Sequence, residues 1–143
     1  MDCKMTKCRG KNSNWGWEYG LFLAKDGNQY LLKDNDLTKV NGDTIGICCK
    51  LIDRSHDEIY EGDIVFDFSE KKVGVIRYGE YGEAEYGWHI EYWESGAFGK
   101  KARNFICFAD SIVAENIFVL GNIYDNPDLL ENITKWGRQG CKL

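Results

Sequence analysis

The chain has 143 residues, of which 43% are hydrophobic and 14% aromatic, and this composition excludes disorder and predicts one folded domain over residues 1–143. The net charge of −5 argues against a general nucleic-acid-binding protein, because such proteins are usually basic. No apolar run approaches the roughly 18 residues of a membrane span, and no apolar stretch follows the first residues as in a signal peptide. We therefore expect a cytoplasmic protein with no membrane contact.

Six cysteines and two histidines decide whether a structural metal is expected. Zinc sites normally present two close cysteine pairs, whereas this chain has one loose pair, Cys3 and Cys8. His56 and His89 each stand alone in the sequence. Since a reducing cytoplasm keeps cysteines as thiols, we predict neither a zinc site nor any cofactor.

The first predicted element is a β-hairpin. Residues 17–23 alternate so that Trp17, Tyr19, Leu21 and Leu23 share one face, and residues 29–32 form the returning strand. Asp26-Gly27 supplies the positive φ angles that a tight hairpin turn needs. Residues 34–42 are polar and predict a loop, and a third strand follows over 44–51.

A three-stranded meander is predicted next, with strands at 64–68, 73–78 and 86–92 and one apolar face. Gly62 precedes the first of these strands and permits the sharp bend of a curling sheet. Residues 95–104 combine two glycines with three cations and predict a mobile loop.

The last third predicts a short buried run at 105–108, then strands at 112–114 and 117–120 around a turn. Asn126 and Pro127 are typical of a helix start, and Leu129, Leu130 and Ile133 form an apolar stripe for packing against the sheet. The predicted fold is therefore mainly β. We expect a small curled antiparallel sheet or pseudo-barrel, similar in outline to SH3 and OB barrels, with a short C-terminal α-helix ending near Trp136.

Three blocks of sequence carry a family resemblance: Arg9-Gly10-Lys11 with Trp17-Glu18-Tyr19-Gly20; Thr44-Ile45-Gly46 with Glu58-Ile59-Tyr60-Glu61-Gly62-Asp63-Ile64; and Gly121-Asn122-Ile123-Tyr124-Asp125-Asn126-Pro127-Asp128-Leu129-Leu130. In order and spacing they resemble the YopX family of phage and prophage proteins over nearly the whole chain. The chain departs from the family at Cys8, where an aromatic is usual, and at 55–57, where an Asn-Gly turn is usual. The resemblance implies a phage or prophage protein working in a bacterial cytoplasm, and it supplies no catalytic residues.

The sequence contains no catalytic motif that would name a reaction. It has neither the G-x-S-x-G of a nucleophile elbow nor the H-E-x-x-H of a zinc protease. Glu61 and Asp63 are weak candidates for binding a hard cation such as Mg²⁺. We favour a turn there, because carboxylates beside glycine are common in turns. The alternative function is a metal-dependent phosphate-processing enzyme that uses Glu61 and Asp63.

The candidate binding residues are three cations and three aromatic side chains: Lys7, Arg9 and Lys11, with Trp15, Tyr60 and Trp93. Cations that meet phosphates beside rings that stack on bases are typical of single-strand binding, although the net charge disfavours this ligand. The opposing interpretation places Trp17 and Tyr19 in the core and pairs Arg9 with an acid. Edge strands could also pair with a second copy of the chain, or the surface could bind another phage or host protein. We therefore predict a non-enzymatic binding or assembly module.

Overall fold

The computed structural model describes residues 7–81, 85–94, 97–104 and 115–129, and these ranges are mainly β-structure. Their ten strands form two antiparallel five-stranded sheets. The chain divides into two compact units, Met1–Cys48 and Cys49–Leu143. The predicted mainly β fold is confirmed, whereas a single domain over residues 1–143 stays a prediction.

The first sheet closes partly into a ring. Its strands are β1 (Lys7–Lys11), β2 (Trp17–Lys25), β3 (Asn28–Lys33), β4 (Asp36–Ile52) and β5 (Glu58–Tyr60). Each of the first four strands pairs with the next, and β4 also pairs with β1. This second pairing of β4 produces the pseudo-barrel that the sequence predicts.

The seam between β1 and β4 contains a register shift between Arg9 and Lys11. At this point the backbone N–H of Lys11 donates to Thr44 Oγ1 at 2.8 Å, and the Thr44 hydroxyl donates to the carbonyl oxygen of Asn41 at 2.7 Å. Thr44 therefore supplies a hydrogen bond where the regular ladder is interrupted.

Two tight turns connect β2, β3 and β4. Asp26 and Gly27 have φ angles of 50° and 80°, and Asp34 and Asn35 have φ angles of 51° and 70°. Positive φ at both central positions is typical of the turn whose twist suits a hairpin, so the predicted hairpin is confirmed. The predicted loop over 34–42 is wrong, because Asp34-Asn35 completes the turn and β4 already begins at Asp36.

The core of the first unit lies inside this ring. Cys8, Leu31 and Val40 are buried together, and Ile45 and Ile47 pack against them. These residues come from β1, β3 and β4, so burial of apolar surface depends on the same strand pairings that close the ring.

The second sheet has the strand order β10-β6-β7-β8-β9. Its strands are β6 (Asp63–Asp67), β7 (Lys72–Tyr81), β8 (Glu85–Glu94), β9 (Ala97–Asn104) and β10 (Ile117–Asn122). Successive pairing of β6, β7 and β8 confirms the predicted meander. Its core cluster consists of Ile64 and Phe66 from β6 and Val73 and Val75 from β7. Ile123 and Leu129, which follow β10 in the chain, pack against this cluster.

Residues 95–104 were predicted as a mobile loop, and this prediction is wrong for 97–104. The backbone of Ala97–Asn104 forms β9, which pairs with β8 and ends the strand order of its sheet. Charged residues and glycines are compatible with such an edge position, because lysine and arginine discourage further strand pairing. Strand β7 likewise continues to Tyr81, past its predicted end at residue 78.

The predicted C-terminal helix lies mostly outside the described residues. The buried run predicted at 105–108 and the strand predicted at 112–114 lie wholly outside them. Leu129 packs against the core as predicted. Asn126 was predicted to cap the helix, but its side-chain oxygen accepts from the backbone N–H of Asn122 at 3.1 Å, which precedes it in the chain. Across the four described ranges, no helix has the length and apolarity needed to cross a membrane.

Replacing Gly74 of β7 by alanine should lower the stability of the chain. An added Cβ would lie 2.5 Å from Cγ2 of Ile90 and 2.7 Å from the carbonyl oxygen of Glu91. Overpacking of this kind costs about 1–3 kcal/mol, which urea unfolding would measure as a lower midpoint. Gly42→Ala is the control, because its Cβ would meet mainly the end of the flexible Gln29 side chain. Equal midpoints for Gly74→Ala and wild type would contradict the tight approach of β7 and β8.

Candidate functional site

The β1–β2 hairpin brings together four of the residues predicted for binding. Lys7, Arg9 and Lys11 of β1 lie opposite Leu21, Tyr19 and Trp17 of β2 in the strand register. Alternate residues of a strand share a face, so the three cations project on the same side as these aromatic rings. The predicted sites at positions 7, 9, 11 and 15 therefore belong to one local structure.

Cations and rings contact one another along this face. Lys7 Nζ lies 5.7 Å from the centre of the Tyr19 ring, and Arg9 Cζ lies 4.5 Å from that of Trp17. Lys11 Nζ lies 4.3 Å from the Trp17 ring and 5.3 Å from the Trp15 ring. Such contacts contribute about 0.5–1 kcal/mol at exposed sites and more when water is excluded. We call these six side chains the cation–aromatic stripe.

Burial divides the cation–aromatic stripe into covered and accessible members. Arg9 and Lys11 are 6% and 2% exposed, whereas Lys7 is exposed. Trp17 and Tyr19, for which the sequence favoured the core, are half-buried and carry the cations on their rings. Arg9 and Lys11 thus stabilise the hairpin and present little surface to a phosphate group.

Asn12 organises the tip of the hairpin. Its backbone N–H donates to the carbonyl oxygen of Gly16 at 2.9 Å, and its carbonyl oxygen accepts from the N–H of Trp15 at 3.0 Å. The side-chain Oδ1 accepts from the N–H groups of Asn14 and Gly16, and Nδ2 donates to Glu18 Oε2 at 2.6 Å. One asparagine therefore fixes the path of the loop from both its backbone and its side chain.

Trp15 is the most exposed of the three rings in the cation–aromatic stripe, at 48%, and its φ angle is 65°. A left-handed backbone is unfavourable for a bulky side chain, by roughly 1–2 kcal/mol. The conformation is maintained by Asn12 and by Lys11, whose Nζ donates to the carbonyl oxygen of Trp15 at 3.0 Å. Because strained residues concentrate at binding sites, Trp15 is the leading candidate functional residue.

The other two aromatic residues predicted for binding lie in different strands. Tyr60 of β5 is only 3% exposed, and its hydroxyl donates to Glu58 Oε1 at 3.0 Å, so its ring offers no accessible stacking surface. Trp93 lies in β8 with its backbone opposite Phe98. Its predicted role in binding concerns a side chain outside the described part of the chain.

Asp63, one of the two weak metal candidates, closes a turn. It is 1% exposed, and its Oδ2 accepts from the backbone N–H of Tyr60 at 2.7 Å. Gly62, which lies between Tyr60 and Asp63, has a φ angle of 92°. Its backbone N–H donates to the carbonyl oxygen of Ile76, and its carbonyl oxygen accepts from the N–H of Ile123. The turn around Glu61 and Gly62 therefore ties β6 to the segment that follows β10.

Two further buried carboxylates also fix backbone. Asp53 Oδ1 accepts from the N–H groups of Ser55 and Asp57, and its Oδ2 accepts from the N–H of Val119 at 2.7 Å. Asp67 Oδ1 accepts from the backbone N–H and the hydroxyl of Ser69. Its Oδ2 accepts from the Tyr92 hydroxyl at 2.7 Å. Within the described ranges, no three His, Cys, Asp or Glu residues are grouped to hold a metal ion.

Two features could not be read from the sequence, because both depend on how strands pair. His89 is 1% exposed, with Nε2 3.7 Å from Glu91 Oε2, while Glu91 Oε1 lies 3.4 Å from Arg77 Nε. The first unit also contains an open pocket of about 680 Å³. Its lining is mostly apolar and comes from all four strands of the ring: Cys8, Leu21, Phe22, Gln29, Gly42, Asp43, Ile45 and Ile47.

Comparison with known proteins gives a family and no activity. The sequence profile described as YopX protein matches residues 7–131. No curated protein shows a significant match to the chain. The matched range includes both strands of the β1–β2 hairpin and the turn at Gly62. The chain therefore belongs to the YopX family.

Proposed function

We propose that this chain is a non-enzymatic binding or assembly module, encoded by a phage or prophage and working in the bacterial cytoplasm. Its contact surface is the β1–β2 hairpin. The proposal depends on the exposure of Trp15, whose side chain is 48% exposed. Its backbone has a φ angle of 65°, and hydrogen bonds from Asn12 and Lys11 hold it in that conformation. The phage or prophage setting rests on membership of the YopX family.

An exposed tryptophan in a fixed loop has the properties of an interface anchor. Tryptophan is enriched among the residues that carry most of the energy of an interface. Side chains already held in one position lose less conformational entropy on binding, so the hydrogen bonds of Asn12 and the contact with Lys11 favour association.

Burial within the cation–aromatic stripe favours a protein partner over single-stranded nucleic acid. Arg9 and Lys11 are 6% and 2% exposed, so two of the three cations predicted to meet phosphates are covered. The net charge of −5 also disfavours a polyanion. The partner is a second copy of the chain or another phage or host protein.

The alternative, a metal-dependent phosphate-processing enzyme that uses Glu61 and Asp63, has less support. Asp63 is buried and accepts the backbone N–H of Tyr60, which is the hydrogen bond of a structural turn. A catalytic metal would need an open coordination position beside such a carboxylate.

Photo-cross-linking at position 15 tests the proposed function. We expect the full chain with p-benzoylphenylalanine in place of Trp15 to give a discrete cross-linked product in host cells, because the ring would lie in an interface. The same substitution of Leu37, which is 42% exposed in the same unit, is the control and should give none. Products that are absent at position 15, or equal at both positions, would contradict the proposal. Salt-dependent retention on single-stranded DNA that Trp15→Ala abolishes would instead assign the hairpin to nucleic acid.

At a protein concentration low enough to prevent self-association, Trp15→Asn should leave the thermal midpoint unchanged or raise it. Asparagine tolerates a φ angle of 65° better than tryptophan, which relieves roughly 1–2 kcal/mol, while loss of the Lys11–ring contact costs about 0.5–1 kcal/mol. Trp17→Asn is the contrasting variant. It removes a half-buried ring from Arg9 and Lys11 and should cost roughly 2–4 kcal/mol. A clear loss of stability in Trp15→Asn would show that Trp15 supports the fold.

Substitutions of Asp63 separate a turn from a metal site. Asp63→Ala should destabilise the chain by about 1–3 kcal/mol, because the buried N–H of Tyr60 loses its acceptor, while Asp63→Asn should lose less. Neither Mg²⁺ nor Mn²⁺ should raise the thermal midpoint of the wild type. A rise in wild type that Asp63→Asn removes would favour the enzyme alternative. Glu61→Gln is the control for a general change of charge.

A further inference from the structure

We propose that an open pocket in the second unit binds a small phosphate monoester, and that Arg54 and His56 contact its phosphate group. The pocket has a volume of about 750 Å³, and its lining comes from residues 50–54, His56 and Glu115, all of which belong to the second unit. The site lies at the turn between β4 and β5. None of these residues belongs to the β1–β2 hairpin, so the site goes beyond the proposed function.

Three side chains of the lining can donate hydrogen bonds to an anion: Lys50, Arg54 and His56. All three are exposed. Among the described residues, no carboxylate pairs with Arg54 or His56, whereas Lys50 already interacts with another group of the chain. We therefore assign direct contact with the ligand to Arg54 and His56, while Lys50 adds its positive charge to the same pocket.

A phosphate monoester uses these donors more fully than a carboxylate does. It carries a charge of about −1.5 to −2 at neutral pH and has three acceptor oxygens. The planar guanidinium of Arg54 can donate to two of these oxygens, and the ring of His56 can donate to the third. A carboxylate has only two oxygens, which Arg54 alone would occupy. This pair of side chains therefore favours a phosphate group.

Two residues of the lining, Lys50 and His56, have left-handed backbones, with φ angles of 67° and 70°. Glycine and asparagine adopt such angles more readily than lysine does. The backbone conformation therefore gives no reason for these two side chains. Unfavourable backbone angles concentrate at functional sites, which supports a role for the side chains in binding.

Asp53 fixes the turn that carries Arg54 and His56. Asp53 is 4% exposed, and both of its carboxylate oxygens accept backbone N–H groups. The N–H of Arg54 donates to the carbonyl oxygen of Ile117 in β10 at 3.0 Å, and the N–H of His56 donates to that of Asp53 at 3.0 Å. Because these hydrogen bonds already order the backbone of the turn, ligand binding loses little conformational entropy there.

The apolar side chains of the lining indicate that the phosphate is joined to an organic group. Leu51 is half-buried and Ile52 is 49% exposed, so an apolar group bound there would cover surface that is open to water. The volume of about 750 Å³ also falls within the roughly 300–1,000 Å³ that is usual for small-ligand sites. Glu115 is an exposed acid of the lining that pairs with neither Arg54 nor His56 in the described ranges, so its charge weakens the binding of an anion.

NMR titration of the full chain with phenyl phosphate tests the site. We expect saturable shifts of the backbone amide signals of residues 50–56, from which the dissociation constant is obtained. Arg54→Gln should raise this constant at least about 10-fold, because a charged donor is lost. His56→Asn should raise it about 5-fold and leave the thermal midpoint unchanged or higher, because asparagine suits a φ angle of 70°. Glu115→Gln should lower the constant about 3-fold, because a repelling charge is removed.

Lys71→Asn is the matched control. Lys71 is an exposed cation of the same unit with a φ angle of 55°, and it does not line the pocket, so this variant should bind phenyl phosphate like wild type. Trp15→Asn should also bind like wild type, which separates this test from that of the hairpin. Benzoate lacks the phosphate and inorganic phosphate lacks the ring, and each should bind at least about 10-fold more weakly than phenyl phosphate.

The absence of saturable shifts at residues 50–56 would overturn the inference, and so would an Arg54→Gln variant that binds phenyl phosphate like wild type. Equal binding of benzoate would overturn the assignment to phosphate. Weaker binding by Glu115→Gln would overturn it too, since Glu115 would then hold a cationic group of the ligand. Equal weakening by Lys71→Asn and Arg54→Gln would show an effect of net charge in place of a site.

Discussion

The first unit depends on one strand having two partners. β4 pairs with β3 through residues 36–40 and with β1 through residues that include Asn41, Gly46 and Ile47. Pairing with β3 alone would leave an open meander, whereas pairing with β1 closes the ring and buries Cys8, Leu31 and Val40. The Thr44 hydroxyl completes the hydrogen bonding where the register shifts. The pocket, whose lining comes from all four strands of the ring, depends on this closure.

The longest blocks of the family resemblance have a structural explanation in the second unit. Block 58–64 forms the turn closed by Asp63, and block 121–130 supplies the N–H of Ile123 that binds the carbonyl oxygen of Gly62. The pairing of β10 with β6 places Asn122 opposite Asp63 in the same region. The residues that make the family recognisable therefore hold backbone together. Such residues explain a shared fold, and they give no reason to assign a shared reaction.

Local signals in the sequence predicted a good part of this fold. Asp26-Gly27 located the first hairpin and strict alternation located the meander, because both depend on residues close in the chain. The first half of β4 and the strand β9 were missed, since their polar and charged residues resemble loops unless a partner strand is known. Similarly, residues 7, 9, 11 and 15 could be grouped from their spacing. The pocket and the His89–Glu91–Arg77 group depend on register between strands, which no local pattern specifies.

The backbone angle at Trp15 has a consequence for how this chain can evolve. One base change in the tryptophan codon gives glycine, which suits the left-handed region and would relax the loop. Selection for thermal robustness alone would therefore erase the indole over time. Under the proposed function, selection for binding retains the indole against this relaxation. A survey of natural sequences at this one position would thus separate lineages that still use the hairpin from those that have abandoned it.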